Sequence, residues 1–88
     1  MFEKHVTIEN KRGLHARAAA RFAQLAEQFD SEINVEVAGL KVSAQSIMGL
    51  MMLGAGKGVE ILITAEGVDA KESLKALEEL IKNRFDEE

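Results

Sequence analysis

Glu32-Ile33-Asn34-Val35-Glu36-Val37-Ala38-Gly39-Leu40-Lys41-Val42-Ser43-Ala44 is the stretch that decides the fold. Ile33, Val35 and Val37 alternate with Glu32, Asn34 and Glu36, and beyond Ala38-Gly39 the residues Leu40, Val42 and Ala44 alternate with Lys41 and Ser43. Successive side chains of a pleated strand point to opposite faces, so a period of two marks a strand with one buried face. Two such runs separated by Ala38-Gly39 read as a tight hairpin. A hairpin pairs its strands antiparallel, and an antiparallel sheet commonly keeps one face on the core and one in water.

The same patterns extend in both directions. Phe2, Val6 and Ile8 share one parity and Glu3, His5, Thr7 and Glu9 the other, which predicts a first strand over residues 2–9 with His5 pointing to solvent. Ala18, Phe22, Leu25 and Phe29 recur at helical spacing, opposite Arg17, Arg21, Gln24 and Gln28. This predicts an amphipathic helix over 16–28, anchored by its phenylalanines. The small Ala18-Ala19-Ala20 run is expected to leave the surface around His15 open. After the hairpin, Ser46 is a favoured N-cap and Gly54 a favoured terminator for a short helix. In that helix Leu50 and Leu53 share one side, while Ile47, Met48, Met51 and Met52 span the other and form an expected docking patch. Gly54-Ala55-Gly56-Lys57-Gly58 lacks the ending of a nucleotide-binding loop and reads as a flexible turn. Val59, Ile61, Ile63 and Ala65 make a fourth strand, closed by Gly67. Asp69 with Glu72 has the form of a capping box before a last helix over 70–84, striped by Leu74, Leu77, Ile81 and Phe85. Helices on one face of a mostly antiparallel sheet make an α+β domain, with Glu3, His5, Thr7, Glu32, Glu36 and Thr64 on the wet face.

Composition narrows the function. The 88 residues, 47% of them apolar, suffice for one small domain over 1–88 with its own core. There is no cysteine, so neither disulfides nor thiolate metal sites contribute, which fits a reducing compartment. No basic segment precedes an apolar stretch at the N-terminus, and the nearly continuous apolar run over 47–55 is far short of the ~20 residues that span a bilayer. A soluble cytoplasmic protein without membrane insertion is expected. The net charge of −4 has the wrong sign for general nucleic-acid binding, and neither Trp nor Tyr is present to stack on bases. Part of that charge is a tail, Asp86-Glu87-Glu88. His5 and His15 lie in different elements with no third ligand indicated, so no metal site is expected.

The chemistry concentrates in Asn10-Lys11-Arg12-Gly13-Leu14-His15-Ala16-Arg17, where a loop ends and a helix begins. The first turn of a helix leaves backbone N–H groups unpartnered, here those of Ala16 and Arg17, and with the macrodipole they suit a phosphate. A neutral imidazole at His15 can attack phosphorus, and its phosphoryl group would sit among those N–H groups. The Arg17 guanidinium offers a fork of donors that matches phosphate oxygens. Gly13 gives the turn a φ that other residues resist. By itself Gly-x-His-x-Arg is short, and a histidine before a helix is more often a cap or a surface residue.

Taken together, Gly13-Leu14-His15-Ala16-Arg17, Ser46-Ile47-Met48-Gly49-Leu50-Met51 with Gly54, and Gly67 resemble the HPr family, the histidine-containing phosphocarriers of the bacterial phosphotransferase system, over essentially the whole chain. The resemblance implies an open-faced β-sandwich of order βαββαβα, a four-stranded antiparallel sheet covered on one face by three helices. It implies that Enzyme I, charged from phosphoenolpyruvate, passes a phosphoryl group to Nδ1 of His15, and that His15 passes it to enzyme IIA proteins. By the same resemblance Arg17 assists transfer, Ser46 is the target of an HPr kinase/phosphorylase in some bacteria, and Ile47, Met48 and Met51 dock partners. It implies a monomeric carrier without a cofactor, a substrate of its partners more than an enzyme. Ala18 stands where the family usually has proline, whose fixed φ stiffens the first turn. The 55–58 loop and the Phe85-Asp86-Glu87-Glu88 ending also resemble the nitrogen-branch relatives called NPr. Two other classes share features of the chain: a ferredoxin-like nucleic-acid module, opposed by charge and composition, and a pure interaction module acting through the Met48–Met51 patch.

Overall fold

The computed structural model describes residues 1–86, so Glu87 and Glu88 of the expected acidic tail lie outside the described residues. The elements run β1 (Phe2–Thr7), α1 (Ala16–Ala26), β2 (Glu32–Val37), β3 (Leu40–Ser43), α2 (Ile47–Met52), β4 (Glu60–Glu66) and α3 (Ala70–Lys82). A left-handed turn over Arg84–Asp86 follows, with all of its residues at positive φ. The strands form one antiparallel sheet in the order β1-β4-β2-β3.

The hairpin closes as its spacing predicts: Val37 faces Leu40, and Ala38 (φ 51°) and Gly39 (φ 86°) turn the chain in the left-handed region. That geometry matches the right-handed twist of the strands it joins. Beyond β1 the pairing with the last strand continues, since Ile8 N donates to Val59 O at 2.9 Å and Gly58 N to Ile8 O at 2.8 Å. The core lies between the sheet and the helices. Ile8, Val35, Ile61 and Ile63 enter it from the sheet, and Phe22, Leu50, Leu77, Ile81 and Phe85 from the helices and the last turn, all essentially without exposure. On the other sheet face Glu3, His5, Thr7 and Glu32 are exposed, and Glu36 and Thr64 half-buried. His5 makes a surface contact, Nδ1 at 3.4 Å from Oε1 of Glu60.

Several expectations are corrected. Phe2, assigned to the buried parity, is 50% exposed, because it begins an edge strand with no neighbour beyond it. Ala18 and Ala19 do not form an open surface: both are fully buried, and their small size lets α1 lie close to the core. The buried stripe of α1 is Ala18, Ala19, Phe22, Ala23 and Ala26, while Leu25 and Phe29 pack on its margin. The helices over 16–28 and 70–84 end earlier, at Ala26 and Lys82. Asp69 caps α3 by position but makes no side-chain cap bond. Its carboxylate instead accepts from Asp30 N at 2.8 Å, from Ser31 N at 3.0 Å and from the Ser31 hydroxyl at 2.5 Å. Three donors converging from the α1–β2 loop outcompete a single cap N–H.

Candidate functional site

The loop before α1 is built from the inside out. Asn10 is fully buried, and its Nδ2 donates to Gly13 O at 2.9 Å while Gly13 N donates to Asn10 O at 3.2 Å. These bonds close a turn that brings Gly13 to φ 65°. A Cβ on Gly13 would stand 2.4 Å from the carbonyl oxygen of Ala55, so this position is glycine for both backbone angle and space. Leu14 is buried, and its N–H donates to Ala55 O at 2.9 Å. The 54–58 segment, expected to be a flexible turn, thus braces the loop that carries the histidine. Sequence reasoning missed Asn10 and Ala55. An Asn three residues before a glycine is a turn-forming signal that could have found the first, whereas nothing local marks the second.

His15 is the N-cap of α1, extended at φ −76° and ψ 179°, and half-buried. Its carbonyl accepts from Ala19 N at 2.8 Å, and its Nδ1 accepts from Arg17 N at 3.3 Å. The Nδ1 lone pair therefore faces the first turn, the contact that selects the neutral tautomer with its proton on Nε2. Ala16 and Arg17 are exposed, with their backbone at the helix start where partial positive charge collects. One turn further, Arg21 NH2 is held by Asp86 Oδ2 at 2.6 Å. The structure thus sets Nδ1 of His15 against the backbone N–H of Arg17 in the first turn, and keeps His5 apart on the sheet.

α2 presents the second expected feature. Ser46 Oγ accepts from Gly49 N at 3.0 Å, the cap bond its position predicts. A Cβ on Gly49 would stand 2.9 Å from that oxygen and 3.0 Å from Cβ of Val42, so the missing side chain lets α2 sit on β3. Leu50 and Leu53 are buried, while Ile47 (41%), Met48 (70%), Met51 (40%) and Met52 (69%) are exposed. Past Met52 the chain leads through Gly54 (φ 65°) to Ala55, whose carbonyl holds Leu14. The C-terminal end of α2, which carries Met51 and Met52, therefore leads into the segment that braces the His15 loop. Ser46 lies at the other end, about 9 Å away along a six-residue helix.

Among the described residues no group of three or more His, Cys, Asp or Glu side chains is placed to hold a metal, and no helix is long and apolar enough to cross a membrane.

Against known proteins, the family model described as "PTS HPr component phosphorylation site" matches residues 2–83. The phosphocarrier protein HPr of Cupriavidus necator is 47% identical over 87 residues, covering 99% of this chain and 98% of that protein. The phosphocarrier protein NPr of Shewanella violacea is also 47% identical, over 85 residues, covering 97% of this chain and 93% of that protein. The crystal structure of HPr-C-His from Thermoanaerobacter tengcongensis superposes with a TM-score of 0.95 at 50% identity, covering 100% of this chain and 99% of that one.

Proposed function

The chain belongs to the HPr family of phosphotransferase-system phosphocarriers, and from that premise we propose that it carries the phosphoryl group on Nδ1 of His15. The observation that carries this assignment is the 3.3 Å contact from Arg17 N to Nδ1. With the proton on Nε2, Nδ1 attacks without first losing a proton. The N–P bond forms as the bond from phosphorus to the donor protein breaks. The phosphoryl oxygens then take over the N–H groups of Ala16 and Arg17, and the exposed Arg17 guanidinium neutralises charge that grows on them.

In this reading the whole of residues 1–88 is one carrier domain, monomeric and cytoplasmic, which takes the phosphoryl group from Enzyme I and gives it to an enzyme IIA protein. It needs no cofactor and ends each cycle unchanged, as a substrate shared by two partners. Ile47, Met48, Met51 and Met52 dock them. Ser46 is a regulatory phosphorylation site for an HPr kinase/phosphorylase, since a phosphate there would border that face. The equal identities to an HPr and an NPr support either the sugar or the nitrogen branch for the acceptor, and transfer from the phosphorylated chain to IIA proteins of each branch distinguishes them.

The direct test is incubation with phosphoenolpyruvate and Enzyme I, followed by mapping of the label. Acid-labile phosphate should appear on His15, vanish in His15→Ala and persist in His5→Ala. Labelling that survives in His15→Ala overturns the assignment.

A further inference from the structure

The chain has no cysteine, tryptophan or tyrosine, so the thioether sulfurs of its four methionines are its most readily oxidised groups. Three of them, Met48, Met51 and Met52, lie together on the outer side of α2. The fourth, Met1, sits away from them beside Glu32, Thr64 and Glu66 on the open sheet. Met48 and Met52 are among the most accessible large apolar side chains of the described residues, at 70% and 69%.

We propose that Met48 and Met52, with Met51 following more slowly, are sites of reversible oxidation that turn the docking face off. The inference rests on the reading of that face as the surface that meets Enzyme I. A sulfur lone pair attacks an oxygen of a peroxide, the S–O bond forms as the O–O bond breaks, and the departing hydroxide leaves as water after proton transfer. Sulfur is oxidised by two electrons and the peroxide reduced by two. A dithiol reductase reverses the step, becoming a disulfide and releasing the oxygen as water.

The fold is arranged to confine the effect. α2 is held by Leu50 and Leu53 on its inner side, by the Ser46 cap, and by the close approach of Gly49 to Val42. None of these involves a methionine sulfur. The sulfoxide therefore changes the surface chemistry, replacing a polarisable apolar contact with a strong acceptor dipole. A partner that buries it must leave that dipole unpaired, which for two residues is expected to raise the KM of Enzyme I for this chain by about tenfold or more.

The experiment treats the full chain with hydrogen peroxide, locates the sulfoxides by mass spectrometry, and measures phosphorylation by Enzyme I and phosphoenolpyruvate. Oxidised wild type should show the raised KM with an unchanged thermal midpoint, and treatment with methionine sulfoxide reductases of both epimer specificities should restore it. The Met48→Leu/Met51→Leu/Met52→Leu variant, compared with its own unoxidised rate, should keep that rate. Oxidation of Met48 and Met52 without a change in KM overturns the proposal, as does an equal loss in the triple variant or a failure of the reductases to restore transfer. Met48→Glu separates the two levels. If Met48→Glu is slow while the sulfoxide form is fast, the docking reading stands and the oxidation inference falls; if Met48→Glu is phosphorylated like wild type, the docking reading falls and the inference with it.

Discussion

At the scale of single residues, Gly13 and Arg17 separate shape from chemistry. Gly13 combines φ 65° with a backbone neighbour 2.4 Å from where a Cβ would be. Gly13→Ala should therefore lower stability by about 2 kcal/mol or more, from backbone strain and the displacement of Ala55 together. Because Leu14 hangs on the same Ala55 carbonyl, phosphorylation of His15 should fall in parallel, and urea denaturation with a phosphotransfer assay reads both. Arg17 is exposed on the polar side of α1. Its replacement by Ala should slow transfer markedly while leaving unfolding within about 0.5 kcal/mol of wild type. A large loss of stability in Arg17→Ala would identify a structural arginine in place of a catalytic one.

Turns and caps belong to the scale of elements. Ala38 takes φ 51° in the hairpin, a conformation that disfavours an L-residue with a Cβ by roughly 1–2 kcal/mol. Ala38→Asn or Ala38→Gly should thus stabilise the protein, by about 1 kcal/mol, and a denaturation midpoint that falls would show that the turn is held by something other than its backbone preference. Ser46 caps α2 through the 3.0 Å bond to Gly49 N. Loss of that bond in Ser46→Ala should lower stability by about 1 kcal/mol. Ser46→Asp keeps an acceptor at the same place, where a negative charge meets the positive end of the helix, so its stability should match or exceed wild type. The charge would border the apolar face of Ile47, Met48 and Met51, and Enzyme I should phosphorylate His15 more slowly in that variant. Unchanged kinetics would reduce Ser46 to a cap.

Across the whole molecule, two carboxylates tie distant segments together and set the response to acid. Asp69 joins the start of α3 to the α1–β2 loop, and its pKa is held below the ordinary 3.8 first by the Ser31 hydroxyl and then by the backbone N–H of Asp30, with burial opposing them and the backbone N–H of Ser31 adding to the lowering. Glu78 joins α3 to β1 through Lys4 at 3.2 Å. Burial raises its pKa, but the hydrogen bonds and charges of Lys4 and Lys82 more than offset this and leave it below 4.5. Both groups are more acidic folded than unfolded. Their stabilisation is therefore complete above the ordinary carboxylate values and is lost as pH falls through the lower folded ones. Denaturation midpoints should decline below about pH 4 in wild type and decline less steeply in Asp69→Asn, which starts from a lower midpoint at neutral pH. Parallel acid limbs in the two proteins would assign the acid response elsewhere.

The sequence alone determined the features that local physics dictates. Alternation marked all four strands, the two-residue spacing at Ala38-Gly39 closed the hairpin, helical periodicity placed the helices to within a turn, and Ser46 capped the helix it was expected to cap. The junction at His15 and the exposed face of Ile47, Met48, Met51 and Met52 were legible for the same reason, since a cap and a one-sided apolar stripe are properties of a few neighbouring residues. Tertiary structure decided what depends on partners far along the chain. The strand order β1-β4-β2-β3, the bracing of the His15 loop by Ala55, and the turning of Asp69 away from its own helix toward Ser31 all join residues dozens of positions apart. Ala18 and Ala19 show the limit most directly: small side chains are equally compatible with an open surface and with full burial, and only the elements that meet them choose between the two.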